Sequence, residues 1–592
     1  MIMKSSLAPL RSRLRLLLIL ILILTFATTA PSFAAEATRP NILFIAVDDM
    51  RPELGCYGNE LVKSPNIDRI AARGITFTKA YCQQAVCSPS RTAILTGLRP
   101  DVTKVWDLET HFRVAQPDCI TLPQYFKMNG YQCAALSKIY HAGFEDGRSW
   151  TEPHWYPKGR AVDTDLVDYT KQIVTRHDVN TEEYSSPQGD GPGRKNGKDA
   201  KKGPAFEVSP KDDGELPDGA TADEAVKRLA ALKSRGEPFF LAVGFLKPHL
   251  PFVAPKKYWD LYDPDMIPVP TAVHLPAGAP DYVGHTNGEL HAYPGVPAGD
   301  PIPADFAKTL RHGYYACISY TDAQIGKVLD ALDTEGLADN TIIVLWGDHG
   351  WQLGDHGLWH KHTNFEIAAR APLLISVPKS GTAGQKCAAT VEFVDVYPTL
   401  AELCGLPIPE GLGGSSIKHL IEKPDAPFTD VAISQYPKKA PEGPVMGYSI
   451  RNDRWRTTFW RLRNGSEIVA TELYDEDNDP TETVNLADKP EHAVLLESLV
   501  KYLPPAGSDA MPGKAKEKKS KSAPAGTTPP SAETEDRGTR FDKLDKEKAG
   551  KLTRDYYTTH QSDAAAAGER FTKWDTDKDG FLSREEYVYQ GK

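Results

Sequence analysis
The sequence predicts an α/β protein: a large mixed, mostly parallel sheet between helices, followed by a smaller antiparallel subdomain. Three observations carry this expectation. Short apolar runs recur between residues 39 and 424, as in parallel strands buried on both faces. Helix-like stretches separate them, which is the alternation of an α/β sheet. Past about residue 425 the texture changes. There "YSIRNDRWRTTFW", "ATELYDEDNDPTETVNL" and the helix-like "HAVLLESLVKYL" point to a small antiparallel sheet with one helix.

In chain order, residues 1–34 come first. Lys4, Arg11, Arg13 and Arg15 precede the run Leu16 to Leu24, and Ser32-Phe33-Ala34 suits a cleavage site, the layout of a secretory signal peptide. An uncleaved anchor is the alternative. No cysteine follows the run closely, which argues against a lipid anchor. The expected parallel strands are Ile42–Val47, Cys133–Leu136, Phe239–Phe245, Ile342–Trp346 and Pro372–Val377. Helices are expected at Asn66–Arg73, Thr221–Ser234 and Ala316–Leu332. Asp163 to Asp218 reads as a polar surface excursion, and Asp265–Pro303 as proline-rich loop. The expected domains are a catalytic domain at 39–424, a C-terminal subdomain at 425–505, a disordered linker at 506–536 and a helical module at 537–592. The linker, rich in Lys, Ser, Pro and Ala, cannot bury a core.

Composition narrows the function. A chain of 592 residues exceeds one core. A net charge of −10 makes it a poor nonspecific binder of nucleic acid, so an anionic substrate requires a local positive pocket. No internal stretch is long and apolar enough to span a membrane, so no span is expected after leader removal and the protein is expected to be exported, periplasmic or secreted. The eight cysteines contain no CxxC pair, and their connectivity is not readable.

The chemistry collects where strands end. Asp48 and Asp49 follow the first strand, Lys138 and His141 the second, Lys247 and His249 the third, Asp348 and His349 the fourth. Open α/β sheets bind ligands beyond the carboxyl ends of their strands. Three aspartates gathered there favour a hard divalent cation. Each pair alone reads equally as a solvated loop or a packed histidine; four together favour a site.

Cys87 opens a stretch, "CSPSRTAILTG", in which Pro89 suits the first turn of a helix ending near Gly97. A side chain there faces backbone donors and the positive end of the helix dipole. A thiolate would be reactive in that setting, and Arg91 adds positive charge. Taken alone, Cys87 reads equally as a buried structural cysteine.

Cys87-Ser88-Pro89-Ser90-Arg91, followed by "TAILTG", resembles the signature of the type I sulfatases. Within that family the chain looks most like the iduronate-2-sulfatase branch, through "VDDMRPELGCYGN", "SPNIDRIAARGITFTKAYCQQAVCSPSR", "FFLAVGFLKPHLPF" and "GDHGWQLGDHGLWHKHTNFE". The likeness runs from about residue 39 to 420 and more weakly to 505; the polar excursion departs from it. It implies the alkaline-phosphatase-like sulfatase fold and a cysteine oxidised to formylglycine by a maturation enzyme. It implies one Ca²⁺ held by Asp48, Asp49, the modified Cys87, Asp348 and His349, although calcium ordinarily prefers oxygen. The hydrated aldehyde would attack sulfur. Arg91, Lys138, Lys361 and Lys247 would offset charge, His249 would act as general acid and His141 as base. Trp351, His360 and His111 would border the substrate. The implied reaction is hydrolysis of a sulfate ester on a sulfated glycan, the 2-O-sulfate of a uronic acid foremost. Another sulfated polysaccharide, a phosphomonoester or phosphonate, and a noncatalytic glycan-binding role remain the alternatives.

Near the C-terminus, "DTDKDGFLSREE" fits the EF-hand loop: Asp575, Asp577, Asp579, the Phe581 carbonyl, Ser583 and Glu586 occupy ligand positions around Gly580. An acidic solvated loop is the plain alternative. Upstream, "DKEKAGKLTRDY" keeps Gly550 but has Ala549 and Tyr556 where ligands belong. A degenerate half that pairs structurally with the first, and a second Ca²⁺ in the intact loop, are expected.

Overall fold
Strand β1 (Asn41–Val47) is buried along its whole length and sits near the middle of the main sheet. The computed structural model describes residues 39–157, 160–162, 203–428 and 431–510, and in the C-terminal part 551–554, 557, 571, 572, 574 and 581–583. The expected signal peptide, residues 163–202 of the expected polar excursion and residues 511–536 of the expected linker lie outside them.

The main sheet uses β2 (Ile75–Tyr81), β3 (Gln132–Ser137), β4 (His154–Tyr156), β5 (Arg160–Val162), β7 (Phe239–Phe245), β9 (Thr341–Gly347), β10 (Leu373–Ser376) and β11 (Gln385–Glu392), in the order β11-β2-β10-β9-β1-β7-β3-β4-β5. A separate pair joins β6 (Phe206–Ser209) to β8 (Phe252–Pro255). Successive side chains of β1 face opposite ways. Leu43, Ile45 and Val47 enter one core, and Ile42, Phe44 and Ala46 the other. Helices α1 (Pro65–Arg73), α3 (Pro217–Arg235) and α4 (Ala304–Thr334) cover the first face; α2 (Cys87–Thr96) and α5 (Val396–Leu403) cover the second. Burial on both faces is why these strands read as continuous apolar runs.

One expected parallel strand runs the other way. Leu373–Ser376 pairs antiparallel with both β9 and β2. Parallel neighbours need a crossover that carries the chain back to the far edge. Between β9 and β10 lie one turn of 3-10 helix, Asp355–Gly357, and the short helix Glu366–Ala369, and the chain turns back beside the strand it left. Helix α4 is also longer than expected, 31 residues. Within it, a Cβ at Gly313 would lie 2.8 Å from Trp259 and 2.9 Å from Phe252, so the bare glycine serves packing. The last part of the expected polar excursion is not a surface loop: residues 206–209 form β6 and Asp218 is fully buried.

The antiparallel subdomain is a meander of β12 (Ala432–Ala440), β13 (Gly443–Arg451), β14 (Trp455–Leu462) and β15 (Ile468–Asp475), followed by α6 (Ala493–Val500). Ion pairs tie it to the main sheet. Glu366 accepts from Arg451 Nε at 3.0 Å and from Tyr81 Oη at 2.8 Å. Packed chain continues to Ala510, past the expected linker start: Ser508 Oγ donates to Asp101 at 2.8 Å and Asp509 is buried.

The chain divides into two compact units, Met1–Lys514 and Ala515–Lys592. In the second, β16 (Lys551–Thr553) pairs antiparallel with β17 (Phe581–Ser583), Leu552 opposite Leu582. Both leucines are buried, as are Tyr557, Phe571 and Trp574. Of the residues expected as EF-hand ligands, Asp575, Asp577, Asp579 and Glu586 lie outside the described residues, and Phe581 and Ser583 are on β17.

The loop after β9 is pinned to the loop after β1. Arg51 Nη1 donates to Asp355 at 2.8 Å and to the Trp351 carbonyl at 3.1 Å. Burial alone would raise the Asp355 carboxyl, but Arg51 and Arg311 hold it down at about 2. A depressed carboxyl stabilises the fold above its unfolded pKa, near 4, and loses that contribution as pH falls through 2. Asp355→Asn should therefore cost about 2 kcal/mol at pH 7, and the gap to the unaltered protein should close at pH 2. Urea unfolding at the two pH values checks this, and an unchanged gap at the lower pH would remove the ion pair as its cause.

Candidate active site
Four adjacent parallel strands, β9, β1, β7 and β3, end level with one another. Val47 pairs with Phe245 and with Gly347, and Ser137 with Gly244. The residues that follow therefore meet at one edge: Asp348 after β9, Asp48 and Asp49 after β1, Lys247 after β7 and Lys138 after β3. Asp49 (φ 56°) and Ser137 (φ 59°) adopt left-handed backbone there. Such strain in non-glycine residues concentrates at functional sites. Gly244 is required by close approach, since a Cβ would lie 2.3 Å from the Lys138 carbonyl oxygen.

Cys87 is the first residue of α2, with Val86 extended before it and Gly97 left-handed after its last turn. All ten helix residues are buried, Arg91 completely. The Cys87 Sγ lies 3.3 Å from His349 Nε2. It stands where the oxygen of an aldehyde, or a hydroxyl of its hydrate, would lie if the Cys87 Cβ were oxidised.

The thiol departs from expectation. Burial, with Asp48 and Asp348 nearby, pushes it well up despite Lys361 and Lys138. The helix terminus and Arg91 do not overcome this, because Arg91 is committed elsewhere. Its Nε donates to Asp348 at 2.9 Å, one terminal nitrogen to Asp48 at 3.1 Å, and the other to the carbonyls of Lys138 and Ile139. The plane of the guanidinium lies over Trp346, 5.6 Å from the ring centre. Arg91 is a positioning residue for two carboxylates, and the unmodified thiol is protonated at neutral pH.

Those carboxylates fit a cation. Asp48 also pairs with Lys138, and though burial opposes it, Lys138, His249 and Arg91 hold its carboxyl well below the usual range. Burial, reinforced by Asp48, Glu289 and Asp348 against Lys361, pushes Asp49 well up. Its Oδ1 is buried without a hydrogen-bond partner among the described residues. Two overlapping groups, Asp48-Asp49-Cys87-His249 and Cys87-Asp348-His349, each bring their ligand atoms within 4.8 Å of one another. His349 Nδ1 is 2.9 Å from the Gly350 carbonyl, which directs the Nε2 lone pair at Cys87 and, 3.4 Å away, at Asp49. Three carboxylates and one imidazole suit an oxygen-preferring divalent ion, with His349 the minor ligand.

Around this centre lie the remaining expected residues. Lys361 Nζ is 3.3 Å from both Asp49 and His249 Nε2, and stands 4.8 Å over the Trp351 ring centre. His249 Nδ1 lies 2.6 Å from the Leu250 carbonyl; burial and Lys361 keep the ring neutral. His141 is likewise held neutral by burial and Lys138, and its buried Nδ1 has no hydrogen-bond partner among the described residues. Lys247 Nζ donates to the His249 carbonyl at 2.7 Å, burial lowering it to about 8, while its backbone is held by Asp218. That places Lys247 behind His249. His111 stacks on Phe112 and lies against Phe144, whose ring also meets His141. His360 is fully buried beside His285 and His362.

Sequence reading missed Glu289. Its carboxylate lies 3.4 Å from His249 Nε2 and 3.3 Å from Lys361 Nζ. It comes from the proline-rich loop, where a lone glutamate carries no motif; only the fold returns that loop to the strand ends.

Comparison with known proteins gives the family and the fold. Residues 40–406 match the sulfatase family model, and residues 354–506 match that of the N-sulphoglucosamine sulphohydrolase C-terminal region. Iduronate 2-sulfatase of Mus musculus is 36% identical over 534 residues, covering 78% of this chain and 93% of the relative. Among solved structures, one in complex with its substrate D-glucosamine-2-N,6-O-disulfate superposes with a TM-score of 0.61 at 23% identity, over 78% of this chain and 96% of the other. The phosphonate monoester hydrolase of Agrobacterium radiobacter shares the fold at a TM-score of 0.58 and 21% identity, over 78% and 94%. With the family model spanning most of the main sheet and the long identity to an iduronate 2-sulfatase, the chain belongs to the sulfatase family and is a sulfatase enzyme.

Proposed function
We propose that the enzyme hydrolyses the 2-O-sulfate of a uronic acid in a sulfated glycan, with formylglycine made from Cys87 and one Ca²⁺. The carrying observation is Cys87 itself: a protonated, buried thiol at a helix N-terminus among three carboxylates. It is a poor nucleophile as it stands and well placed as a precursor. Likeness to an iduronate 2-sulfatase supports the choice of substrate.

Asp48, Asp49, Asp348 and His349 would hold the ion. Together the ion and the formylglycine would supply a hydroxyl nucleophile at neutral pH. The chain's own residues do the rest. Lys361 and Lys138 face the position where sulfate oxygens would gather charge. His249, neutral as it stands, would take up a proton at Nε2 beside Glu289 and pass it to the leaving sugar oxygen. Neutral His141, with its unpartnered Nδ1, accepts one. Trp351 closes the floor beneath Lys361.

The leader supports export, and no helix among the described residues is long and apolar enough to cross a membrane. A formylglycine-generating enzyme is the required partner. The C-terminal module supports an EF-hand pair: Leu552 and Leu582 hold the same position in the two loops and pair across β16 and β17. The second Ca²⁺ belongs to residues 575–586.

The test is sulfate release from disaccharides bearing 2-O-sulfated iduronate, 2-O-sulfated glucuronate or 6-O-sulfated hexosamine, beside a phosphate and a phosphonate ester. Turnover of the uronates is expected. Turnover of the phosphorus esters alone would replace this reading with that of the fold's phosphonate hydrolases. His249→Gln should lower turnover of the sugar sulfates by about 10²–10³-fold while sparing an aryl sulfate, whose leaving group needs no proton. Equal loss on both would deny His249 the role of acid.

A further inference from the structure
Three histidines gather beside the catalytic centre without a part in its chemistry. His360 and His362 flank Lys361, and His285 arrives on the proline-rich loop. Their ring centres form a triangle with sides of 5.0, 5.2 and 5.7 Å. Neither ring nitrogen of fully buried His360 has a hydrogen-bond partner of good geometry among the described residues, though the His285 backbone carbonyl favours a proton on it. His362 Nδ1 meets Tyr436 Oη at 3.0 Å. Lys438 donates to the carbonyls of Gly284, at 2.5 Å, and His362, at 3.1 Å, drawing the two segments together.

The cluster lies close to the reacting groups. Glu289 touches His249 and Lys361, and its Oε2 is 3.9 Å from His362 Nε2. One carboxylate thus separates the two sites.

The electrostatics favour an anion. Burial lowers all three imidazoles, and neighbouring positive groups lower them further: His285 and Lys438 for His360, Lys361 and His360 for His362, Lys438 for His285. Glu289 is the acidic group facing His285 and His362. A cation is a poor occupant. Lys361 and Lys438 stand nearby, and among the described residues the groups whose ligand atoms converge are those of the catalytic centre.

We propose that His285, His360 and His362 form a subsite that holds the carboxylate of the sulfated uronic acid, with Lys438 as a positioning residue. Imidazoles donate hydrogen bonds to a carboxylate, and protonation on binding would make them charge-assisted. The inference rests on the uronate reading above.

Its test uses the full chain with Cys87 converted and three substrates: a 2-O-sulfated uronate disaccharide, the same compound with its carboxyl reduced to an alcohol, and an aryl sulfate. The unaltered enzyme should prefer the carboxylate. His362→Phe should lower kcat/KM for the carboxylate substrate by about 10–100-fold, chiefly through KM, and change the reduced one little. His285→Ala, at an exposed position that leaves the core intact, should show the same selectivity with a smaller loss. Equal losses on both sugars, or none, would overturn the subsite. A loss confined to disaccharides sulfated on the neighbouring sugar would assign the cluster to that sulfate and overturn the carboxylate. Turnover of the aryl sulfate with neither uronate would instead defeat the uronate reading, and the subsite with it.

Discussion

Cys87→Ala should cut sulfate release by about 10⁴-fold or more, the scale on which loss of a covalent nucleophile is felt. The fold should survive. The side chain is small, and its nearest polar neighbour, His349, keeps its bond to the Gly350 carbonyl. Three carboxylates remain to hold the ion, so protection by added Ca²⁺ against thermal unfolding should persist. Mass spectrometry of the peptide around residue 87 gives the companion result. In active protein it should lack one sulfur and two hydrogens and carry one extra oxygen. Full activity with an unmodified thiol would refute the formylglycine reading outright.

Arg91→Met carries the second large effect, on both stability and rate. Arg91 is fully buried, and its donors hold Asp48, Asp348 and two carbonyls. Removing it leaves two buried carboxylates without that partner, a change that typically costs about 3–5 kcal/mol. Lys138 still pairs with Asp48, so the loss falls most heavily on Asp348. Activity should drop by about 10²–10³-fold as the carboxylates lose their alignment. Arg91→Lys should recover little, because one ammonium cannot span both carboxylates as the guanidinium fork does. Thermal unfolding with and without Ca²⁺, alongside sulfate release, measures both effects. A stable variant with activity within tenfold of the parent would show that Arg91 does not organise the site.

Much of the fold is legible because burial on two faces writes itself into composition. Phe239–Phe245 is apolar at every position, and its strand bounds match expectation. The strand direction of Leu373–Ser376 is not legible, since an apolar run carries no sign of which edge the chain enters from. The site divides in the same way. Asp48, Asp49, Lys138, Lys247 and Asp348 could be found because they directly follow buried strands, and α/β sheets present those ends to ligands.

The sequence by itself determined the α/β sheet, the helix that begins at Cys87 and the set of charged residues at one sheet edge, because each depends on local pattern. The tertiary structure alone decided how those charges are spent. It turned Arg91 from a free cation into the partner of two aspartates, and it raised the Cys87 thiol where the helix dipole argued for lowering it. It also brought Glu289 and His285 back from a proline-rich loop to the catalytic centre. Desolvation and pairing depend on neighbours far apart in the chain, and no local pattern records them.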